Sequence, residues 1–529
     1  MSSNSETTAL RFIDLFSGCG GLSYGLERAG HECVGAIDKS ENAIRSFNLN
    51  HKNGVGLCRD LLTYYPKDFA KATGITEVDL IVGGPPCQGF STAKRVGGGN
   101  NGLKTALDSR RDLYKVFLRY VAHYRPKIFV MENVLGIRST ASGHYFTAIQ
   151  DGSRDLGYNV SPVELRCWEY GVPQSRVRQI FIGTRVNLPP FAADLFLKKT
   201  HFSISVESSG SKIVTLGEAI CDLPPLEANS GAVDSQYDQS LRARHLEKYG
   251  DRYIYGVLQA NLADTLTWHV ARMHSERDLR DFGRLAEGET SKSAIKAGIE
   301  MEFPYDRDTF KDRYTRQHRD RLCSTIVAHL RRDGLMFIHP TQRRSLTPRE
   351  AARIQSFPDT FLFAGDRGPV YEQIGNAVPP EAGKAIGRAL TLYLEARSQV
   401  GCRTISNQQK NASVRMLEEL LDSLVLGRLK SMDTDQFIAI WNAVHLIKPS
   451  LHPDNALDRS GPYRSPPHGV SPVFEPYYIR SGWPHSLIPI AEEALNRYRS
   501  GEISAAQYYF QQVKQYQATR FLDTVVSQD

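Results

Sequence analysis

The chain has 529 residues, of which 41% are hydrophobic and 23% charged; this is the composition of a soluble globular protein and too long for one ordinary domain, so two or three are expected. No window reaches the roughly 18 to 20 uninterrupted apolar residues that a membrane span requires, and the opening MSSNSETTALRF has no apolar stretch of signal-peptide length, so a cytoplasmic protein without a membrane partner is expected. The net charge of +7 permits a polyanionic partner without demanding one, and eight scattered cysteines with no C-x-x-C pair or Cys/His ladder support neither a disulfide framework nor a metal site.

In chain order, RFIDLF (11 to 16), ECVGAI (32 to 37), VDLIVGG (78 to 84), KIFVME (127 to 132) and RQIFIGT (178 to 184) are short apolar runs. Several are separated by helical patterns such as GLSYGLERAG and RRDLYKVFLRYVAHY. That alternation predicts an α/β fold, a parallel sheet covered by helices. From about 186 to 340 the pattern gives way to turn-rich sequence, and FKDRYTRQHRDRLCSTIVAHLRRDGLMFIHPTQRR (310 to 344) is dense in Arg and His and interleaved with aromatics. Arginine forks suit phosphates and guanine edges. LTPREAARIQSF and PPEAGKAIGRALTLYLEARS then restore strong helices. Beyond about 400, in a mixed, mainly helical extension, a Pro/Tyr-rich stretch lies between helical patterns, and its Tyr463, Phe474, Tyr477, Tyr478 and Trp483 are expected to pack on helices as a small partner-binding or stabilising domain.

Two places carry chemistry. In DLFSGCGGLSYG (14 to 25) a strand stops in a glycine turn and opens a helix, the arrangement in which backbone N–H groups meet a ligand. A dinucleotide fingerprint starting at Gly18 needs glycine at 23, where Ser23 stands, so NAD is disfavoured. Asp38 and Asp60 end or follow the next two strands, where they can bind a nucleoside; the order of features matches S-adenosylmethionine. In GGPPCQGFS (83 to 91) two prolines form a stiff arm carrying Cys87 just past a buried strand. Cysteine is already a few per cent ionised near neutral pH and strongly nucleophilic, so a thiol held this way is held for use.

Together, DLFSGCGG, GGPPCQGFS, MENV (131 to 134), GVPQSRVRQIFIGT (171 to 184), LTPREAARIQSFP (346 to 358) and IGNAVPP (374 to 380) stand in the order of the motifs of DNA cytosine-5 methyltransferases of the bacterial restriction-modification type, which the chain resembles over residues 11 to about 395. The resemblance implies a Rossmann-like, S-adenosylmethionine-dependent methyltransferase fold with a smaller target-recognition domain. The catalytic and cofactor-binding domain would comprise 9–185 and 341–398, the recognition domain 186–340, and an extension of unassigned role 399–529. It implies Cys87 as nucleophile at cytosine C6, Glu132 on N3 and the exocyclic amine, and Arg178 on O2 with Arg176 in support. S-adenosyl-L-methionine would be held by Phe16, Ser17, Gly18, Gly20 and Gly21, by Asp38 at the ribose and Asp60 at the adenine amino group, and by Leu61, Pro86, Leu113, Asn376, Ala377 and Val378. Ser91, Arg95, Arg331 and Arg332 would contact DNA, the loop after Cys87 closing over a flipped cytosine.

No metal is implied. The expected partners are double-stranded DNA and, functionally, a cognate restriction endonuclease, with the protein itself a monomer. Two departures stand out: Asp38 occupies a position where the family usually has Glu, and Val177 stands where Glu commonly separates the paired arginines. A tRNA cytosine-5 methyltransferase has the same fold but a compact recognition region, and a catalytically silent DNA-binding regulator would lack the Cys or the Glu.

Overall fold

The computed structural model describes residues 9–86, 112–185, 188, 190–202, 211–302 and 314–401. Among these, seven strands form the central sheet: β1 (Arg11–Leu15), β2 (Glu32–Asp38), β3 (Gly56–Cys58), β4 (Leu80–Gly83), β5 (Ile128–Val134), β6 (Tyr158–Arg166) and β7 (Val177–Arg185). They lie in the order 3-2-1-4-5-7-6. β7 runs antiparallel to β5 and β6, and the other pairings are parallel. The five apolar runs of the sequence therefore become strands.

β6 has a different signature. Its YNVSPVELR stretch alternates buried and partly exposed residues, but Pro162 stands in its middle. Proline cannot donate to a ladder and is tolerated only where one side of a strand is free. β6 is the last strand in the order, so it offers that free side.

Side chains alternate across each strand, and both faces are covered. Phe12, Leu80, Val82, Ile128, Val130, Ile180 and Ile182 point to one buried cluster, which they share with Leu22 and Leu26 of α1 (Gly21–Arg28). Ile13, Leu15, Ile81, Phe129, Met131 and Phe181 point to the other. There they meet Phe69 of α3 (Pro66–Thr73), which follows α2 (Glu41–Asn50), and Leu113, Phe117 and Tyr120 of α4 (Leu113–Tyr124), with Ile149 of α5 (His144–Asp155) beyond. Burying each such side chain is worth about 1.5 to 3 kcal/mol, so this two-sided burial is the main force holding the sheet.

Three further helices close the described residues: α6 (Pro348–Ile354), α7 (Arg367–Asn376) and α8 (Pro380–Gly401). α6 starts on a capping box, Thr347 with Glu350, and has proline in its first turn. α8 returns to the first cluster, where Ala382, Ile386, Leu390 and Tyr393 pack beside α1. The approach is close because a Cβ on Gly25 would lie 2.2 Å from the Pro380 carbonyl oxygen, and one on Gly383 would lie 2.8 Å from that of Leu22. Phe191, Ala192, Ala193, Leu195, Phe196 and Leu197 also join this cluster, so the packing of the sheet domain continues past residue 185.

Between residues 214 and 374 a third cluster forms. Leu216, Ile254, Leu266 and Ile326 pack with Leu346, Ala351, Phe357, Phe363, Val370 and Ile374. This core crosses residue 340, the boundary expected from sequence pattern. Buried arginines tie it together. Arg353 bonds Asp222 and Asp359, Arg344 forks onto Glu350 at 2.7 and 2.8 Å, and Arg349 reaches the carbonyls of Thr267, Pro358 and Phe361. Truncating one member of such a set leaves a buried charge uncompensated, at a cost of roughly 3 to 5 kcal/mol.

Candidate active site

β1 and β4 are neighbours, paired in parallel from Phe12 with Leu80 to Leu15 with Gly83. The helix after β1 packs on one face of the sheet and α4, the next described helix after β4, on the other. Open α/β sheets bind ligands at such a point, in the crevice beyond the carboxyl ends of the strands. The glycine turn leaves β1 there and Gly84-Pro85-Pro86 leaves β4 there.

The turn is a bend that few side chains permit. Phe16, Gly18 and Gly20 have φ of 58°, 57° and 91°. The Gly18 N–H donates to one Asp38 carboxylate oxygen at 3.0 Å, and the Ser40 N–H to the other at 2.8 Å. Burial pushes the Asp38 carboxyl above its ordinary range, while those N–H bonds favour its charged form. Gly18 faces open space on the side where a Cβ would stand. Ser17 Oγ is buried and has no hydrogen-bond partner among the described residues. An open backbone face, an orphaned hydroxyl and a carboxylate with free lone pairs fit the polar groups of S-adenosylmethionine. Gly21 closes the turn against IGNAVPP, since a Cβ there would lie 2.3 Å from the Val378 carbonyl oxygen.

Two residues under this turn, Asp14 and His51, carried no sequence signal of their own. Asp14 is buried, and burial pushes its carboxyl up to about 7 while the Ser23 hydroxyl donates to it at 2.5 Å. Ser23, the residue that breaks the dinucleotide fingerprint, thus satisfies a buried acid. His51 lies beneath Gly20, where a Cβ would come within 2.2 Å of its Nε2, and its Nδ1 is 2.7 Å from Glu27. Cys19 is buried beside them, and burial pushes its thiol up to about 12, so it packs as an apolar filler.

Asp60 follows β3 and is exposed, one carboxylate oxygen accepting from the Leu62 N–H at 2.9 Å. Leu61 beside it and Leu113 at the start of α4 are buried. Val378 is buried next to the glycine turn, Ala377 is half-buried and Asn376 exposed.

The second half of the site lies on β5 and β7. Glu132 pairs with Ile180 and Val134 with Arg178, so Glu132 and Arg178 project from the same face as diagonal neighbours. Glu132 Oε1 lies 2.8 Å from Arg178 Nε, and each side chain is about one-eighth exposed, at 13% and 12%. A Cβ on Gly84 would stand 2.9 Å from Glu132 Oε2. On the opposite face Asn133 donates to the Pro85 carbonyl oxygen at 3.3 Å. The proline arm is therefore fastened to the strand that carries the carboxylate, with Pro86 as its last described residue. Cys87, Ser91 and Arg95 lie outside the described residues.

Arg176 goes elsewhere. It is buried and donates to the carbonyls of Ile326 at 2.8 Å and Ala377 at 2.9 Å. Arg331 and Arg332 are exposed; Arg331 pairs with Glu372 of α7, and both their carbonyls accept from Arg272. Among the described residues no cluster of three or more His, Cys, Asp or Glu could hold a metal ion, and no helix is long and apolar enough to cross a membrane.

Comparison with known proteins agrees with this geometry. Residues 10–391 match the family model of C-5 cytosine-specific DNA methylases. The chain is 34% identical over 403 residues to the Type II methyltransferase M.DdeI of Desulfomicrobium norvegicum, covering 73% of this chain and 89% of that protein. It is 31% identical to the Type II methyltransferase M.AgeI of Thalassovita gelatinovora, over 73% of this chain and 100% of the relative. Among solved structures, a presumed DNA modification methyltransferase encoded within an E. coli prophage is similar with a TM-score of 0.55 at 26% identity, covering 73% of this chain and all of that one.

Proposed function

Because the chain belongs to the C-5 cytosine-specific DNA methylase family and is a DNA cytosine-5 methyltransferase, we propose that it acts on a cytosine flipped out of a specific duplex sequence, with Cys87 as the nucleophile. A base inside a duplex is out of reach of any side chain in the crevice, so extrusion is required. The observation that carries this reading is the Glu132 and Arg178 pair, held at 2.8 Å against Gly84 on the strand to which the proline arm is tied.

In this reading the Cys87 thiolate forms a bond from sulfur to C6, and the electron pair of the C5–C6 double bond moves into the ring, charging N3 and O2. Glu132 hydrogen bonds N3 and the exocyclic amine, and Arg178 stabilises the charge at O2, so that C5 becomes nucleophilic. S-adenosyl-L-methionine, when bound, supplies the electrophilic methyl group. A base then takes the C5 proton, the ring double bond reforms and the thiolate leaves. Phe16, Ser17, Gly18, Gly20, Gly21 and Asp38 would hold the cofactor, with Asp60, Leu61, Pro86, Leu113, Asn376, Ala377 and Val378 around it. The 186–340 part would bind duplex DNA with Arg331 and Arg332, and Ser91 and Arg95 would add contacts from the loop after Cys87.

We further propose that the methyl mark protects DNA against a cognate restriction endonuclease, as the Type II names of the relatives suggest. Methyl transfer from labelled S-adenosylmethionine to duplex DNA, with tRNA as the competing substrate, tests the proposal. Label in DNA at cytosine C5 is expected; label in tRNA alone overturns it.

A further inference from the structure

Arg176 belongs to a buried polar hub that joins three separate stretches of chain. Gln174, Arg176 and Gln355 are each essentially inaccessible to solvent. The Ile326 peptide is gripped at both ends: its N–H donates to Gln174 Oε1 at 3.0 Å, and its carbonyl accepts from Arg176 at 2.8 Å. Gln174 Nε2 donates to Gln355 Oε1 at 2.7 Å. Gln355 in turn donates to the carbonyls of Ile374 and Ala377, and Ala377 accepts from Arg176 as well. One end of the hub thus holds the 323–327 segment, and the other holds IGNAVPP.

Both ends lead to surfaces with a job. The 323–327 segment lies within the basic stretch, and Val327 exposes its side chain. Its backbone runs along Pro173 to Ser175: the Cys323 N–H donates to the Pro173 carbonyl at 3.0 Å, and the Ser175 N–H to the Cys323 carbonyl at 2.9 Å. Two residues past Arg176 is Arg178, the partner of Glu132. At the other end, the Val378 carbonyl touches Gly21 of the glycine turn. There is little slack between them, because a Cβ on Gly375 would lie 2.3 Å from the Ala328 nitrogen. The 323–327 segment is thus joined to the wall of the crevice beside the glycine turn by an unbroken set of packed, hydrogen-bonded groups.

We infer that Gln174, Arg176 and Gln355 are positioning residues that couple DNA seated on the 323–327 segment to cofactor seated in the glycine turn, so that each ligand tightens the binding of the other. The inference rests on the proposed reading of those two surfaces. Coupling of this kind is reciprocal and has a measurable factor, commonly about 5 to 150 in affinity. A lysine in place of Arg176 keeps the charge but loses the fork that spans Ile326 and Ala377.

The test measures affinity of the full chain for a duplex carrying its methylated sequence, by fluorescence anisotropy, with and without saturating S-adenosylhomocysteine. Calorimetry supplies the affinity for S-adenosylhomocysteine alone. For the wild type a coupling factor of at least about 5 is expected. Arg176→Lys and Gln355→Met should bring it close to 1 while each separate affinity changes by less than about threefold, since neither residue is expected to touch either ligand. A wild-type factor of 1, or variants that keep the wild-type factor, would overturn the inference. Loss of both separate affinities together with a lower Tm in both variants would reduce the hub to a structural strut and overturn it equally. A wild type that binds no S-adenosylhomocysteine would instead sink the reading of the glycine turn.

Discussion

Glu132 and Arg178 meet at 2.8 Å although they are 46 positions apart, because the antiparallel register of β5 and β7 sets them diagonally on one face of the sheet. A carboxylate in that position is oriented by its cation before any base arrives. Glu132→Gln keeps the shape and loses the charge and the proton. Turnover is expected to fall by about 10² to 10⁴, the usual range for a lost acid or base, while duplex affinity stays near wild type. Single-turnover methylation alongside anisotropy would check this.

Arg178→Lys keeps a cation without the planar fork. The pair is mostly buried, so the variant is expected to lower kcat by roughly 10 to 10³, in keeping with removal of one donor aimed at developing charge. A kcat within twofold of wild type would show that the fork is not used in the reaction.

Gly84 is the wall against which the carboxylate rests. In Gly84→Ala the new Cβ, 2.9 Å from Glu132 Oε2, must displace it. A misplacement of about 1 Å can cost on the order of 10² in rate, so kcat should fall about 10- to 100-fold with the Tm little changed. Kinetics with a melting curve would separate this from misfolding.

Cys87→Ser should abolish turnover and leave duplex binding largely intact, since phosphate contacts supply most of the affinity. DNA containing 5-fluorocytosine should trap the wild type as a denaturation-resistant adduct, because fluorine cannot leave as a cation. A gel without such a band would argue against covalent catalysis.

Asp14 gives stability a pH dependence of a definite sign. Burial raises its folded pKa to about 7 from 3.8, so between these values the folded state holds a proton that the unfolded state has released. Its contribution is complete below about pH 4 and is lost as the pH rises through about 7, a difference of up to a few kcal/mol. Asp14→Asn should flatten that part of the profile, read as a smaller fall in Tm between pH 5 and pH 8. An unchanged fall would place the titration elsewhere.

Much of the catalytic half was legible in the sequence, because its signals are local: short apolar runs for β1, β2, β4, β5 and β7, a glycine turn, a proline arm. β6 was not, since Pro162 argues against a strand unless its place at the sheet edge is known. The basic stretch misled in part for a similar reason. Arg344 reads as a surface cation but is fully buried on Glu350, and Arg319 is engaged by Glu287. Residues 346–374 read as a return to the sheet domain, yet their apolar side chains share a core with residues 214–268. Charge and periodicity report exposure only when partners are near in sequence, and these partners are not. Arg176 illustrates the limit: its motif suggests support for Arg178 at the reacting cytosine, and its geometry leads to the backbone of two distant segments.

The close seating of α1 on α8, glycine against backbone at Gly25 and Gly383, has a consequence for biosynthesis. A ribosome delivers the first of these helices more than 350 residues before the second, so the nascent sheet stays open along one flank through most of translation. Until α8 emerges, the apolar side chains of Leu22 and Leu26 lack the cover that Ala382, Ile386 and Leu390 give them in the finished fold.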